Sequence, residues 1–157
     1  MKVAYADPPY MRQAKKHYQC EEVDHQQLIT RLESDYDAWA LSCSSPSLPQ
    51  LCQWIPKAAR IMAWVKPFAI FKPNVGVAYA WEPIIVCGGR KRTRQQLTVR
   101  DWVSCNIALK RGLVGAKPEA FCFWLFEVLN LVPEDEFHDL FPGTGAVTRA
   151  WEQWRVR

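Results

Sequence analysis

Val3-Ala4-Tyr5-Ala6-Asp7-Pro8-Pro9-Tyr10 decides how the rest of this chain is read. A short apolar run, fit for a buried strand, passes directly into a carboxylate, two prolines and an aromatic ring. The prolines have no N–H to donate and hold φ at about −65°. A residue before proline is driven to an extended conformation, so the acceptors of Asp7 and Pro8 stand off the strand end instead of curling into a helix. A carboxylate and a carbonyl converging beside a ring suit a planar exocyclic amine on a flat heterocycle.

A second motif lies far along the chain, at Phe137-His138-Asp139-Leu140-Phe141-Pro142-Gly143-Thr144-Gly145-Ala146-Val147. It reads as a strand ending in the acid Asp139, then a glycine turn that opens a helix. Glycines there permit positive φ and let a ligand approach the backbone closely. Asp-Pro-Pro ends many strands, and one glycine turn is common. The pair together is what points to a site.

Between them, segments of strand and helix character alternate. Val3–Ala6, residues 36–43, 58–65 and 75–87 read as strands, with a short one near Gln96–Val99. Glu21–Ser34, a stretch from Ser44 to about Trp54, Glu119–Leu131 and Gly145–Arg155 read as helices, stopped in turn by prolines such as Pro56 and Pro133. Such alternation predicts an α/β fold, an open and mostly parallel sheet with helices on both faces. Ligands of such sheets bind at the carboxyl ends of the strands. Placing the Asp139 strand beside the Asp7 strand brings both motifs to that edge.

The chain has 157 residues, one domain's worth, and its 49% apolar content is that of a globular protein. No apolar run approaches the roughly 20 residues that span a bilayer, and Met1-Lys2 leads straight into a strand. The six cysteines (Cys20, Cys43, Cys52, Cys87, Cys105, Cys122) show no C-x-x-C spacing, which argues against a zinc site and for a reducing, cytoplasmic setting. Charge is uneven. Residues 88–116 carry seven basic side chains (Arg90, Lys91, Arg92, Arg94, Arg100, Lys110, Arg111) against the single acid Asp101, in a chain whose net charge is +4. A local excess of that kind suits phosphates.

These motifs resemble the S-adenosylmethionine (SAM) dependent amino-methyltransferases that modify adenine N6 or cytosine N4 in DNA, in the permuted order that carries the catalytic motif before the cofactor motif. Ala40-Leu41-Ser42-Cys43-Ser44 is similar to the family's second central strand, and Ala63-Trp64-Val65-Lys66-Pro67 with Trp81-Glu82-Pro83-Ile84-Ile85-Val86 to its late antiparallel pair. Gly115-Ala116-Lys117-Pro118-Glu119 resembles the element before the glycine strand. The resemblance implies a Rossmann-like sheet in one domain, residues 1–157. It gives catalytic roles to Asp7, Pro8, Pro9 and Tyr10, with Tyr10 stacking on a base flipped from duplex DNA. Ala6, Asp7, Lys117, Pro118, Asp139, Phe141, Gly143, Thr144 and Gly145 would surround SAM, with Lys117 meeting the methionine carboxylate. Arg12, Lys15, Lys16, Lys66, Arg90, Lys91, Arg92 and Arg94 are the candidate contacts to nucleic acid.

Members of that class continue past the glycine motif with two more strands, the first ending in an acid for the cofactor ribose. Here one helix follows Gly145. The expectation is a sheet without those strands and a SAM pocket completed by a homodimer or a partner subunit. Adenine N6 in DNA is the favoured target, because Asp-Pro-Pro-Tyr is more typical of adenine enzymes. A cytosine-N4 or RNA amino-methyltransferase, or a catalytically degenerate nucleic-acid-binding subunit, are the alternatives.

Overall fold

Lys2–Ala6 forms a strand, β1, in the computed structural model, which describes residues 1–11, 22–68, 74–107 and 116–157. Val3, Ala4, Tyr5 and Ala6 are fully buried, as an unbroken apolar run covered on both faces should be. Among the described residues, five more strands join it: Ala38–Ser42 (β2), Arg60–Val65 (β3), Trp81–Gly88 (β4), Trp102–Ser104 (β5) and Glu136–Asp139 (β6). They make one sheet in the order β5-β3-β4-β2-β1-β6. β1 pairs in parallel with β2 and β6, and β3 with β5, while β4 alone is reversed between β2 and β3. The mostly parallel α/β sheet and the antiparallel β3–β4 pair are those the sequence predicts.

Strand alternation sends side chains to two cores. On one face Val3, Tyr5, Ala40, Trp64 and Ile84 meet the helices Glu119–Val128 (α3) and Ala146–Trp154 (α4). Phe126 of α3 anchors this layer, its ring 5.2 Å from Phe137 and 5.4 Å from Trp151, both edge-on, and each such pair adds about 0.5–1.5 kcal/mol beyond its buried area. On the other face Ala4, Ala6, Trp39, Leu41 and Ile85 meet Leu28, Ile29 and Leu32 of His25–Asp35 (α1) and Leu51 of the short Leu48–Leu51 (α2). Helices cover both faces, as expected.

Three of the boundaries that differ from the sequence reading have a local cause. α1 starts at His25, where Asp24 caps it by accepting the Gln27 N–H at 2.9 Å. The strand expected from Val75 begins only at Trp81, since Val77 is 84% exposed and has no apolar face to cover. No strand forms at Gln96–Val99, because Gln96 folds back to accept the Thr93 N–H and to donate to Asn130. The edge strand is instead Trp102–Ser104, in register with Ala63–Val65.

Candidate active site

The β1–β6 ladder pairs Tyr5 with Asp139, and the Leu140 N–H donates to the Tyr5 carbonyl at 2.9 Å. Asp7-Pro8-Pro9-Tyr10 and the glycine turn therefore leave the same carboxyl edge, from neighbouring strands. Gly143 and Gly145 take φ of 47° and 71°, the left-handed region that glycine occupies without cost. The Gly145 N–H donates to the Pro142 carbonyl at 2.6 Å, and α4 starts at the next residue. A Cβ at Gly143 would touch little beyond the Phe141 carbonyl at 3.8 Å, so the backbone there is open to close approach.

Asp139 closes β6 half-buried. Its Oδ2 accepts the Thr148 hydroxyl at 3.1 Å, and its Oδ1 is buried without a hydrogen-bond partner among the described residues. Burial pushes this carboxyl upward, against the Thr148 bond. A buried acceptor left unpaired costs about 1–3 kcal/mol, which makes it a group waiting for a donor.

A second cluster forms around Asp7. Lys117, just before α3, is buried and places Nζ 3.1 Å from Asp7 Oδ1 and 2.7 Å from Glu82 Oε1. Glu82, on β4 and 4% exposed, takes Lys66 Nζ at 2.7 Å on its other oxygen. Both ammoniums lie over the Trp64 ring, at 4.5 Å for Lys66 and 5.2 Å for Lys117. Burial alone would raise the Glu82 carboxyl, but Lys117 and Lys66 overcome it and hold it at about 2. Burial raises Asp7, with Lys117 opposing and Glu82 adding to the rise. Burial and the two carboxylates likewise raise the Tyr10 phenol, so it stays a neutral donor. Beneath them the Tyr5 hydroxyl pairs with Ser42 at 2.7 Å.

The fold thus brings Ala6, Asp7, Pro8, Pro9, Tyr10, Lys66, Lys117, Pro118, Asp139, Phe141, Gly143, Thr144 and Gly145 to one edge. Lys117 faces Asp7 and Glu82 in this arrangement. Glu82 is the residue the sequence reading passed over. Its signal was an acid set in the apolar strand Trp81-Glu82-Pro83-Ile84-Ile85-Val86, where an exposed charge would be out of place.

The basic candidates separate. Arg12, Lys15 and Lys16, with Lys110 and Arg111, lie outside the described residues. Because β4 is reversed, its end at Gly88 lies beside Ala38, at the amino edge of β2. The residues that follow begin at the opposite edge from Asp7. There Arg90 is spent on a bidentate pair with the buried Asp135, at 2.9 and 3.0 Å. Arg92 is held by Glu127 and by the Leu97 carbonyl. Lys91 and Arg94 are exposed. Arg94 and Arg92 line a groove of about 390 Å³ with Arg60, Arg100 and Asp101, well away from the carboxyl edge.

No family model matches the chain, and no curated protein does. Solved structures do. The M1.HpyAVI-SAM complex is 13% identical with a TM-score of 0.64, over 98% of this chain and 78% of that one. A second structure of M1.HpyAVI is 12% identical with a TM-score of 0.63, over 99% of this chain and 76% of that one. At this identity the likeness speaks to architecture, and the chain has a Rossmann-like methyltransferase fold.

Proposed function

We propose that this protein is a SAM-dependent methyltransferase acting on the exocyclic amine of a flipped base in duplex DNA, adenine N6 first. The observation that carries the reading is the juxtaposition of the Asp7-Pro8-Pro9-Tyr10 acceptors with the Asp139–Gly145 turn on adjacent parallel strands. A structural neighbour solved as a SAM complex supports the cofactor.

The residues fit such a group. Asp139 Oδ1, without a partner among the described residues, is an acceptor for a hydroxyl or amine donor, and the left-handed turn leaves open backbone at Gly143, while at Gly145 the Arg149 guanidinium lies close. SAM, when bound, supplies an electrophilic methyl on a sulfonium. An exocyclic amine is a weak nucleophile because its lone pair is delocalised into the ring. The Asp7 carboxylate and the Pro8 carbonyl accept its two N–H bonds and favour a nitrogen with an available lone pair. The extra proton of the methylated amine would leave to Asp7 or to water. The protein's share is positioning and electrostatic stabilisation. Extruding the base costs a few kcal/mol. Lys91 and Arg94, exposed on the edge opposite Asp7, are the described cations we assign to phosphates away from the target base, and binding through them weakens with salt.

Calorimetric SAM binding together with transfer of labelled methyl to duplex DNA tests the reading. Transfer to single-stranded RNA but not to duplex DNA would keep the chemistry and change the substrate. No SAM binding by the folded protein would overturn it.

A further inference from the structure

Glu82 gathers two ammoniums in one buried spot, Lys117 and Lys66. Asp7 and Glu82 balance Lys66 and Lys117 in charge, so the cluster is neutral as a whole. Lys117 is its shared member. Its ammonium lies 2.7 Å from Glu82 and 3.1 Å from Asp7, drawn to the first and at the long end of hydrogen-bond range from the second. Asp7 Oδ2 accepts nothing from the described residues, and the side chain keeps 23% exposure. Without an anion at position 82, Lys117 would have one carboxylate to satisfy it and would close fully onto Asp7. An incoming N–H would then compete with a buried ammonium for the same acceptor.

We propose that Glu82 is a positioning residue for Asp7 that acts through Lys117, holding the ammonium back so that Asp7 keeps an oxygen free for a substrate amine. This rests on reading Asp7 as the carboxylate that receives the amine. Glu82 itself touches no reacting atom. Lys66 is the counterweight: it draws on the other Glu82 oxygen and limits how strongly Glu82 pulls Lys117. The groups that face Glu82 are Asp7 and Tyr10 after β1, Tyr5 on β1, Cys43 after β2, Lys66 after β3 and Lys117 before α3.

The test follows the Asp7 carboxyl by carbon-detected NMR in the full chain, with and without substitutions at two positions. Glu82→Gln should move the Asp7 midpoint down by roughly one pH unit, and Lys66→Gln should move it up. Lys66 is partly exposed, so the second variant carries the test if the first does not fold. An Asp7 titration that is the same in wild type and in each folded variant would overturn the proposal. In methyl transfer, Glu82→Gln should lose about 100-fold in kcat with the KM for SAM unchanged, and Glu82→Asp should recover part of it. Full kcat in folded Glu82→Gln would also overturn it. Asp7 shifts in a protein that transfers no methyl group would overturn the methyltransferase reading and leave only the coupling of Glu82 to Asp7.

Discussion

Asp139 stands directly across the parallel β1–β6 ladder from Tyr5, two residues before Asp7. That register sets the separation of the two motifs, because a slip by one residue would turn Asp139 to the other face of the sheet. It is kept by burial. Tyr5 is fully enclosed and bonded to Ser42, and Phe137 on β6 packs against Phe126 and Trp151.

Lys117→Met should destabilise the fold by about 3 kcal/mol, since it strips buried carboxylates of their shared cation. Urea unfolding at neutral pH measures this. A loss below about 0.5 kcal/mol would mean that the lysine is no more than a surface charge.

Acid should weaken the protein through Glu82. Its carboxyl is held at about 2, below the ordinary 4.5, so the stability it contributes is full above 4.5 and is lost as the pH falls toward 2. Asp7, raised by burial, acts in the opposite sense and is relieved by protonation. Urea midpoints recorded across that range should therefore fall with pH in wild type and fall less steeply in Glu82→Gln. Equal slopes would contradict the ion-pair assignment.

Arginines of the basic segment should divide into two kinds. Arg90→Gln removes both bonds to the buried Asp135 and should cost about 1–3 kcal/mol. Arg94→Gln should leave stability within about 0.5 kcal/mol and weaken binding to a DNA duplex in a fluorescence-anisotropy titration. The reverse pattern would show that the exposed arginine is the structural one.

Gly88→Ala should cost about 2 kcal/mol or more. The residue has φ of 75°, and a Cβ there would lie 2.5 Å from the Asp37 carbonyl oxygen, a backbone atom that cannot step aside. Thermal unfolding of the variant reads this out, and an unchanged midpoint would contradict the packing at the β2–β4 end.

The carboxyl-edge motifs were legible because they are local. Strand, prolines and glycines each constrain their own backbone, and Asp7 and Asp139 needed only the parallel pairing of their strands to meet. Glu82 was not legible, because its partners Lys66 and Lys117 lie 16 and 35 residues away in sequence. The charge run at 88–116 was plain to see, but its edge depends on the reversal of β4. Nor could composition tell that Arg90 would be consumed by Asp135. The short edge strand was misplaced because Gln96 spends its side chain on Thr93 and Asn130, a competition that β-propensity does not register.

The central claim is best tested by incubating the protein with labelled SAM and duplex DNA, digesting the DNA and identifying methylated nucleosides by mass spectrometry, beside Asp7→Ala. The account predicts N6-methyladenine from wild type and a loss of at least about 100-fold in the variant. Methylated product at an undiminished rate from a folded Asp7→Ala protein would contradict it.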